Sequence, residues 1–172
     1  IKEKFGKKHN TRIMKIKKFL FFLLSILFLG SCSSPYFLEF NEFTGGWKNS
    51  ESAEFSFISD QNPKNIFLIL RHSNSYEYAN IFLITELKAD NILIKKDTLE
   101  YLLSKANGQW LGNKKLSLIE HKLPFLDKIS LKENVDYSLK VRTSMRLNGR
   151  IEPIVNLEGI LGLGLLIEER NN

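Results

Sequence analysis

The feature that most constrains the fold is a two-residue beat between Val135 and Leu147. Along this segment Val135, Tyr137, Leu139, Val141, Met145 and Leu147 fall on one side, and charged or small polar residues fall on the other. Successive side chains alternate faces only in an extended strand, so the pattern predicts a strand with one buried and one wet face. Ala53 to Ser59 repeats it with Phe55 and Phe57 inward. The runs Asn65 to Arg71, Ile81 to Leu87 and Ile92 to Tyr101 are apolar, β-branched or aromatic, which places them nearer the middle of a sheet. Gln61-Asn62-Pro63, His72 to Ser75, Ala89-Asp90-Asn91 and Asn107-Gly108 separate these runs with the residues that reverse a chain.

The last run, Gly159 to Glu169, puts Leu161, Leu163, Leu165 and Ile167 on one face. Gly162 and Gly164 lie on the other, where a missing side chain lets a backbone or an aromatic ring come close. These glycines are not a dinucleotide-binding fingerprint, because the spacing is reversed and no helix follows. No long segment repeats helical spacing. The expectation is all-β: a single antiparallel β-sandwich of seven or eight strands, jelly-roll or Ig-like. Leu116 to Asn134, which contains Pro124, carries the weakest periodic signal.

Charge first points elsewhere, since Lys+Arg 25 against Asp+Glu 19 reads as a basic protein. Eight of those basic residues and one acid lie before Cys32, which leaves 17 basic and 18 acidic residues from Cys32 onward. The body therefore has no basic field, and a nucleic-acid partner is not expected.

Met14-Lys15-Ile16-Lys17-Lys18 precedes the apolar run Phe19 to Leu29. A basic start followed by a run too short to cross a bilayer predicts an export signal rather than a membrane span. The run ends in Leu29-Gly30-Ser31-Cys32, which looks like a bacterial lipobox, with Cys32 as the lipidated first residue of the mature protein. Several buried acyl chains at about 0.8 kcal/mol per methylene anchor a protein stably. With one cysteine in the chain, no internal disulfide, thiolate zinc cluster or CxxC pair is expected. Residues 1 to 13 are read as an extension of the gene model without a fold, 14 to 31 as the lipoprotein signal peptide, 32 to 42 as lipid anchor and tether, and 43 to 172 as the sandwich domain. Tyr36 to Phe43 is aromatic enough for a first strand or for a tether against the membrane interface. Ser33 is not the aspartate that tends to hold lipoproteins at the inner membrane, and Ser33 to Tyr36 lacks an acidic export cluster. The outer membrane, facing the periplasm, is the expected location, with inner-membrane retention or surface display as the alternatives.

Catalytic and ligand sites are sparse. His72 and His121 sit in no HExxH, GxSxG or metal-ligand pattern, and a surface position is expected for both. Glu120 and His121 are adjacent, so in a strand they point to opposite faces. Nothing in the sequence brings Asp97, Glu100 and Glu120 together as a hydrolytic pair. No enzymatic activity, cofactor or metal is expected. Trp47 and Trp110 lie in Gly-rich connections, where each could stack on a sugar or anchor a partner, or instead plug an end of the sandwich. Lys140, Arg142 and Arg146 form a row on the wet face of their strand, open to an acidic partner or phosphate headgroups, or simply solvated.

Ser73-Asn74-Ser75-Tyr76-Glu77-Tyr78-Ala79-Asn80-Ile81-Phe82-Leu83, then Asp97-Thr98-Leu99-Glu100-Tyr101, then Asn107-Gly108-Gln109-Trp110-Leu111-Gly112 and the ending from Met145-Arg146 through Gly159 to Leu165 and on to Glu168 together resemble the gliding motility lipoprotein GldH family. The likeness runs from about Phe43 to Glu169, and the Gly-x-Trp-Leu-Gly piece is its most distinctive part. It implies an outer-membrane lipoprotein needed for gliding, whose partners are the membrane, through the lipid on Cys32, and envelope motility or secretion proteins. It implies no defined biochemical activity and no catalytic residues. Two functions from different classes are therefore expected to compete: a lipid-anchored structural adaptor, and a glycan- or peptidoglycan-binding lipoprotein that uses Trp47 and Trp110 as a platform.

Overall fold

The computed structural model describes residues 36–60 and 62–169. Cys32, the expected signal peptide 14 to 31 and residues 1 to 13 lie outside the described residues. Eleven strands are present among them: β1 (Phe37–Glu42), β2 (Trp47–Lys48), β3 (Ala53–Ile58), β4 (Lys64–His72), β5 (Asn80–Ala89), β6 (Ile92–Leu102), β7 (Asn113–Lys115), β8 (Leu118–Ile129), β9 (Asp136–Thr143), β10 (Asn156–Leu157) and β11 (Ile160–Glu169). Three of them span only two or three residues, leaving eight long strands, the upper end of the expected number.

All pairings are antiparallel, in one sheet ordered β1-β11-β4-β8-β7, a second ordered β3-β9-β5-β6, and a small β10-β2 ribbon. Among the long strands only β5 and β6 are successive neighbours in one sheet; every other step crosses to the opposite sheet. That alternation is the jelly-roll form of the sandwich, not the Ig-like one. Leu68, Leu70, Leu163 and Leu165 from the first sheet meet Phe55, Leu83, Leu139 and Val141 from the second in one continuous core.

Strand phase was legible; strand position was less so. Ile92 to Tyr101 was expected in the middle of a sheet, yet β6 is an edge strand whose Ile92, Leu93, Ile94 and Leu102 are 50 to 69% exposed. The predicted strand from Val135 to Leu147 stops at Thr143. Leu161 was expected on the face of Leu163, Leu165 and Ile167, which is the buried one, but a register shift between Ile160 and Gly162 buries Ile160 and turns Leu161 out. Within the expected tether 32 to 42, Phe37–Glu42 is instead strand β1, paired from Phe37↔Ile167 to Glu42↔Gly162. Its pairing satisfies a backbone edge that β11 would otherwise leave open. In the weakly patterned segment, Pro124 sits in β8 opposite Phe67, and β7 pairs β8 only at 118 to 120. Pro is tolerated there because its missing N–H faces an unpaired edge.

The sandwich has two ends. At the entry end the chain enters β1; there lie the last residue of β11, the first of β4, Ile58, and the β5–β6 turn, where Asp90 and Asn91 both take positive φ (48° and 64°). Tyr36 Oη donates to the Ile58 carbonyl at 2.9 Å and ties the two sheets there. The far end gathers the connections carrying Trp47, Tyr76, Trp110 and residues 144 to 155.

Candidate functional site

The only buried titratable pair inside the sandwich, among the described residues, lies at the far end. His72 follows Ile66, Leu68 and Leu70 on the inward face of β4, and His121 follows Ile119 on that of β8. The two rings stack with centroids 5.0 Å apart, and their Nε2 atoms are 2.9 Å apart. Both imidazoles are buried, which corrects the expected surface position. The signal that would have found them was phase: each histidine is an even number of residues from the apolar positions of its own strand.

The hydrogen bonds fix the protons. His72 Nδ1 is 2.8 Å from the Ser73 carbonyl oxygen, which can only accept, so Nδ1 carries hydrogen. In the neutral ring Nε2 is then the acceptor, and His121 Nε2–H donates to it. A second proton on His72 would set two N–H groups against each other. Burial pushes His72 below its ordinary value, the Ser73 bond opposing it only partly; burial, then the neighbouring imidazole, take His121 down to about 4. This is a neutral structural pair at ordinary pH.

The Gly-rich connection after β6 closes over that pair. Trp110 meets His72 edge-on at 4.5 Å, and Tyr76 lies 5.4 Å from it. A Cβ on Gly112 would sit 2.8 Å from His121 Nε2 and 2.7 Å from the Glu120 carbonyl oxygen, so only glycine lets the Trp110 connection lie this close. Trp110 is half-buried and, with Tyr76, Tyr78 and Ser104, lines a shallow groove. Tyr76 Oη donates to the Asn80 carbonyl at 2.9 Å, which leaves this tyrosine structural.

The other predicted site residues do not join it. Trp47 is fully buried, stacked on Phe43 at 4.6 Å, with Nε1–H donating to the Glu51 carbonyl. It plugs the far end and offers no face to a sugar, so the two tryptophans do not form a common platform. The basic row is also broken. Lys140 pairs with Glu54 at 2.8 Å, and Glu86 takes Lys96 at 2.8 Å and Arg142 at 3.8 Å. Because Glu54↔Lys140, Lys140↔Glu86 and Glu86↔Lys96 are register partners, these charges form one alternating ladder across four strands. Arg146 lies beyond the end of β9, opposite Pro153. Glu120 and His121 do point to opposite faces, Glu120 reaching Arg71 at 2.9 Å outside while His121 turns in.

On the outer face of the first sheet, a Cβ on Gly164 would meet the Phe40 ring at 2.6 Å. The Arg71 guanidinium lies 3.7 Å from the same ring centroid. On Gly162 a Cβ would lie 2.9 Å from the Asn41 carbonyl oxygen, so both glycines serve the close approach of β1 that their spacing predicted.

The matches to known proteins follow this architecture. Two curated relatives are similar over nearly their whole lengths. One, described as a "Gliding motility lipoprotein GldH homolog" of Christiangramia forsetii, is 32% identical over 153 residues, covering 88% of this chain and 94% of the relative. The other, "Gliding motility lipoprotein GldH" of Flavobacterium johnsoniae, is 30% identical over 161 residues, covering 92% and 100%. A solved GH115 4-O-methyl-α-glucuronidase aligns loosely, at TM-score 0.42 and 11% identity over 82% of this chain and 18% of that one. The family model described as GldH lipoprotein matches residues 36–167, from Tyr36, which ties the two sheets together, to Ile167, the last buried residue of β11. The unit of likeness is thus the entire sandwich, and the chain belongs to the GldH lipoprotein family.

Proposed function

We propose that this protein is a non-enzymatic adaptor of the gliding apparatus, anchored by lipid on Cys32 to the outer membrane, facing the periplasm, and joined to envelope motility or secretion proteins at the far end of its sandwich. Residues 14 to 31 act as the signal peptide, and residues 33 to 35 are what remains of the tether. The names of the relatives support the gliding role.

The observation that carries the adaptor reading is where apolar surface is left uncovered. Leu111, Leu116, Leu147, Ile151 and Val155 are 44 to 101% exposed, and all belong to connections at the far end. Apolar side chains gathered on one end of a compact domain mark a protein contact more often than a solvent face. The competing glycan reading keeps Trp110 alone, since Trp47 is enclosed.

The test is site-specific photocrosslinking in living cells from Leu116 and Ile151, with a control at exposed Ser56 in the second sheet. A reproducible set of envelope motility or secretion proteins captured at the far-end positions and lost in Cys32→Ala is expected. Capture of cell-wall glycan alone would overturn the adaptor reading in favour of the glycan one.

A further inference from the structure

The entry end carries its own uncovered apolar surface. Ile58, at the end of β3, is 60% exposed, and Ile92, Leu93 and Ile94 at the start of β6 are 69, 50 and 50% exposed. A regular strand would send alternate members of that trio inward. The register instead slips between Leu87 and Lys88: Leu87 pairs with Lys95 and Lys88 with Leu93, so Ile94 is the extra residue of a bulge. Bulges re-aim side chains, and here all three apolar residues stay outside. An edge strand that starts this way is an aggregation hazard unless something covers it. Ile58 and the β5–β6 turn border one groove, with Phe37, Phe57 and Tyr137 along it and Asp90 and Asp136 on its rim.

Chain length says what lies opposite. Three residues separate Cys32 from Tyr36, so even fully extended the chain reaches about 14 Å from the lipidated residue to the root of β1. The root is itself fixed: Lys64, fully buried, pairs with Asp60 at 2.8 Å and Glu169 at 3.2 Å and lies 3.9 Å from the Tyr36 ring centroid. A lipid in the bilayer therefore holds this end, and not the far end, at the headgroups.

We propose that the entry end of the sandwich, through Ile58, Ile92, Leu93 and Ile94, seats on the lipid surface and inserts those side chains at the boundary between headgroups and acyl chains. This rests on the anchor at Cys32. The rim residues Asp90 and Asp136 are acids and outnumber Lys88, the register partner of Leu93, while Lys95 and Lys96 are engaged by Asp97 and Glu86. The contact is thus apolar rather than an attraction to anionic headgroups, and it is insensitive to salt.

The test uses the full mature protein purified from membranes and reconstituted in vesicles of phosphatidylethanolamine and phosphatidylglycerol. An environment-sensitive dye is placed at Leu93→Cys and, separately, at Leu116→Cys on the far end; both positions are exposed, so the fold tolerates them. The expected result is a severalfold brighter, blue-shifted Leu93 probe that is quenched by lipids spin-labelled near the headgroup and unchanged by added salt, while the Leu116 probe stays water-like. A water-like Leu93 probe on protein whose intact mass includes the lipid overturns the seating and leaves the anchor standing. A blue shift without vesicles also overturns it, because the surface is then covered by a second copy. An intact mass lacking lipid overturns the anchor reading and this inference together.

Discussion

Gly164 shows how much one missing side chain sets in place. Its bare Cα admits the Phe40 ring, Arg71 stacks beyond that ring, and Arg71 in turn holds Glu120. Gly164→Ala should push β1 off β11 and cost about 1–3 kcal/mol of stability, the usual range for overpacking. Phe40→Leu in the same chain should recover part of the loss, and a double-mutant cycle by urea unfolding measures the coupling. The histidine pair makes a pH prediction. Both imidazoles titrate below 6.5 when folded, His121 at about 4, while the unfolded chain binds protons from about 6.5 downward. Stability is therefore complete above that pH and is lost as pH falls toward 4, with a slope of at most about 1.4 kcal/mol per pH unit for each ring. Unfolding midpoints measured across that window should flatten in a His72→Phe, His121→Leu double variant. The histidines were readable as inward by phase, but their meeting was not, since nothing in the sequence states that β4 and β8 are neighbours. Trp47 was ambiguous for a related reason: a Gly-rich connection looks the same whether its aromatic residue faces solvent or closes the core.

Among the elements, β6 and β9 separate what periodicity reports from what it cannot. The alternation in β9 fixed its buried face from Tyr137 to Val141. An apolar run such as β6 carries no mark of edge or middle, because that depends on which strands pair around it. The same holds for the row of basic residues, whose partners Glu54 and Glu86 arrive from two other strands. Lys140→Glu would place three carboxylates side by side across β3, β9 and β5. Like charges directly opposite each other cost roughly 0.2–1 kcal/mol per pair, so a loss of about 1 kcal/mol is expected, against a smaller one for Lys140→Gln. A lower urea midpoint at unchanged slope is the signature to look for.

At the scale of the molecule, every large exposed apolar side chain among the described residues lies near one end of the sandwich or the other, and none sits at mid-sheet. That distribution exists only once the crossings place the connections, so it was not legible in the sequence, although the fold class was. Leu116→Ser with Ile151→Ser should leave stability within about 0.5 kcal/mol, as surface changes do, while partner capture in cells falls sharply. The same pair of variants should not alter membrane retention of the lipidated protein, which cell fractionation checks. The antiparallel seam between β1 and β11 has a mechanical meaning in this arrangement. Under the proposed anchoring at Cys32 and partner contact at the far end, a load between the two would pull β1 along its own axis, across ladder bonds that run perpendicular to it. All the bonds of the six-residue seam then bear the force together and would have to shear at once, rather than peel open one by one.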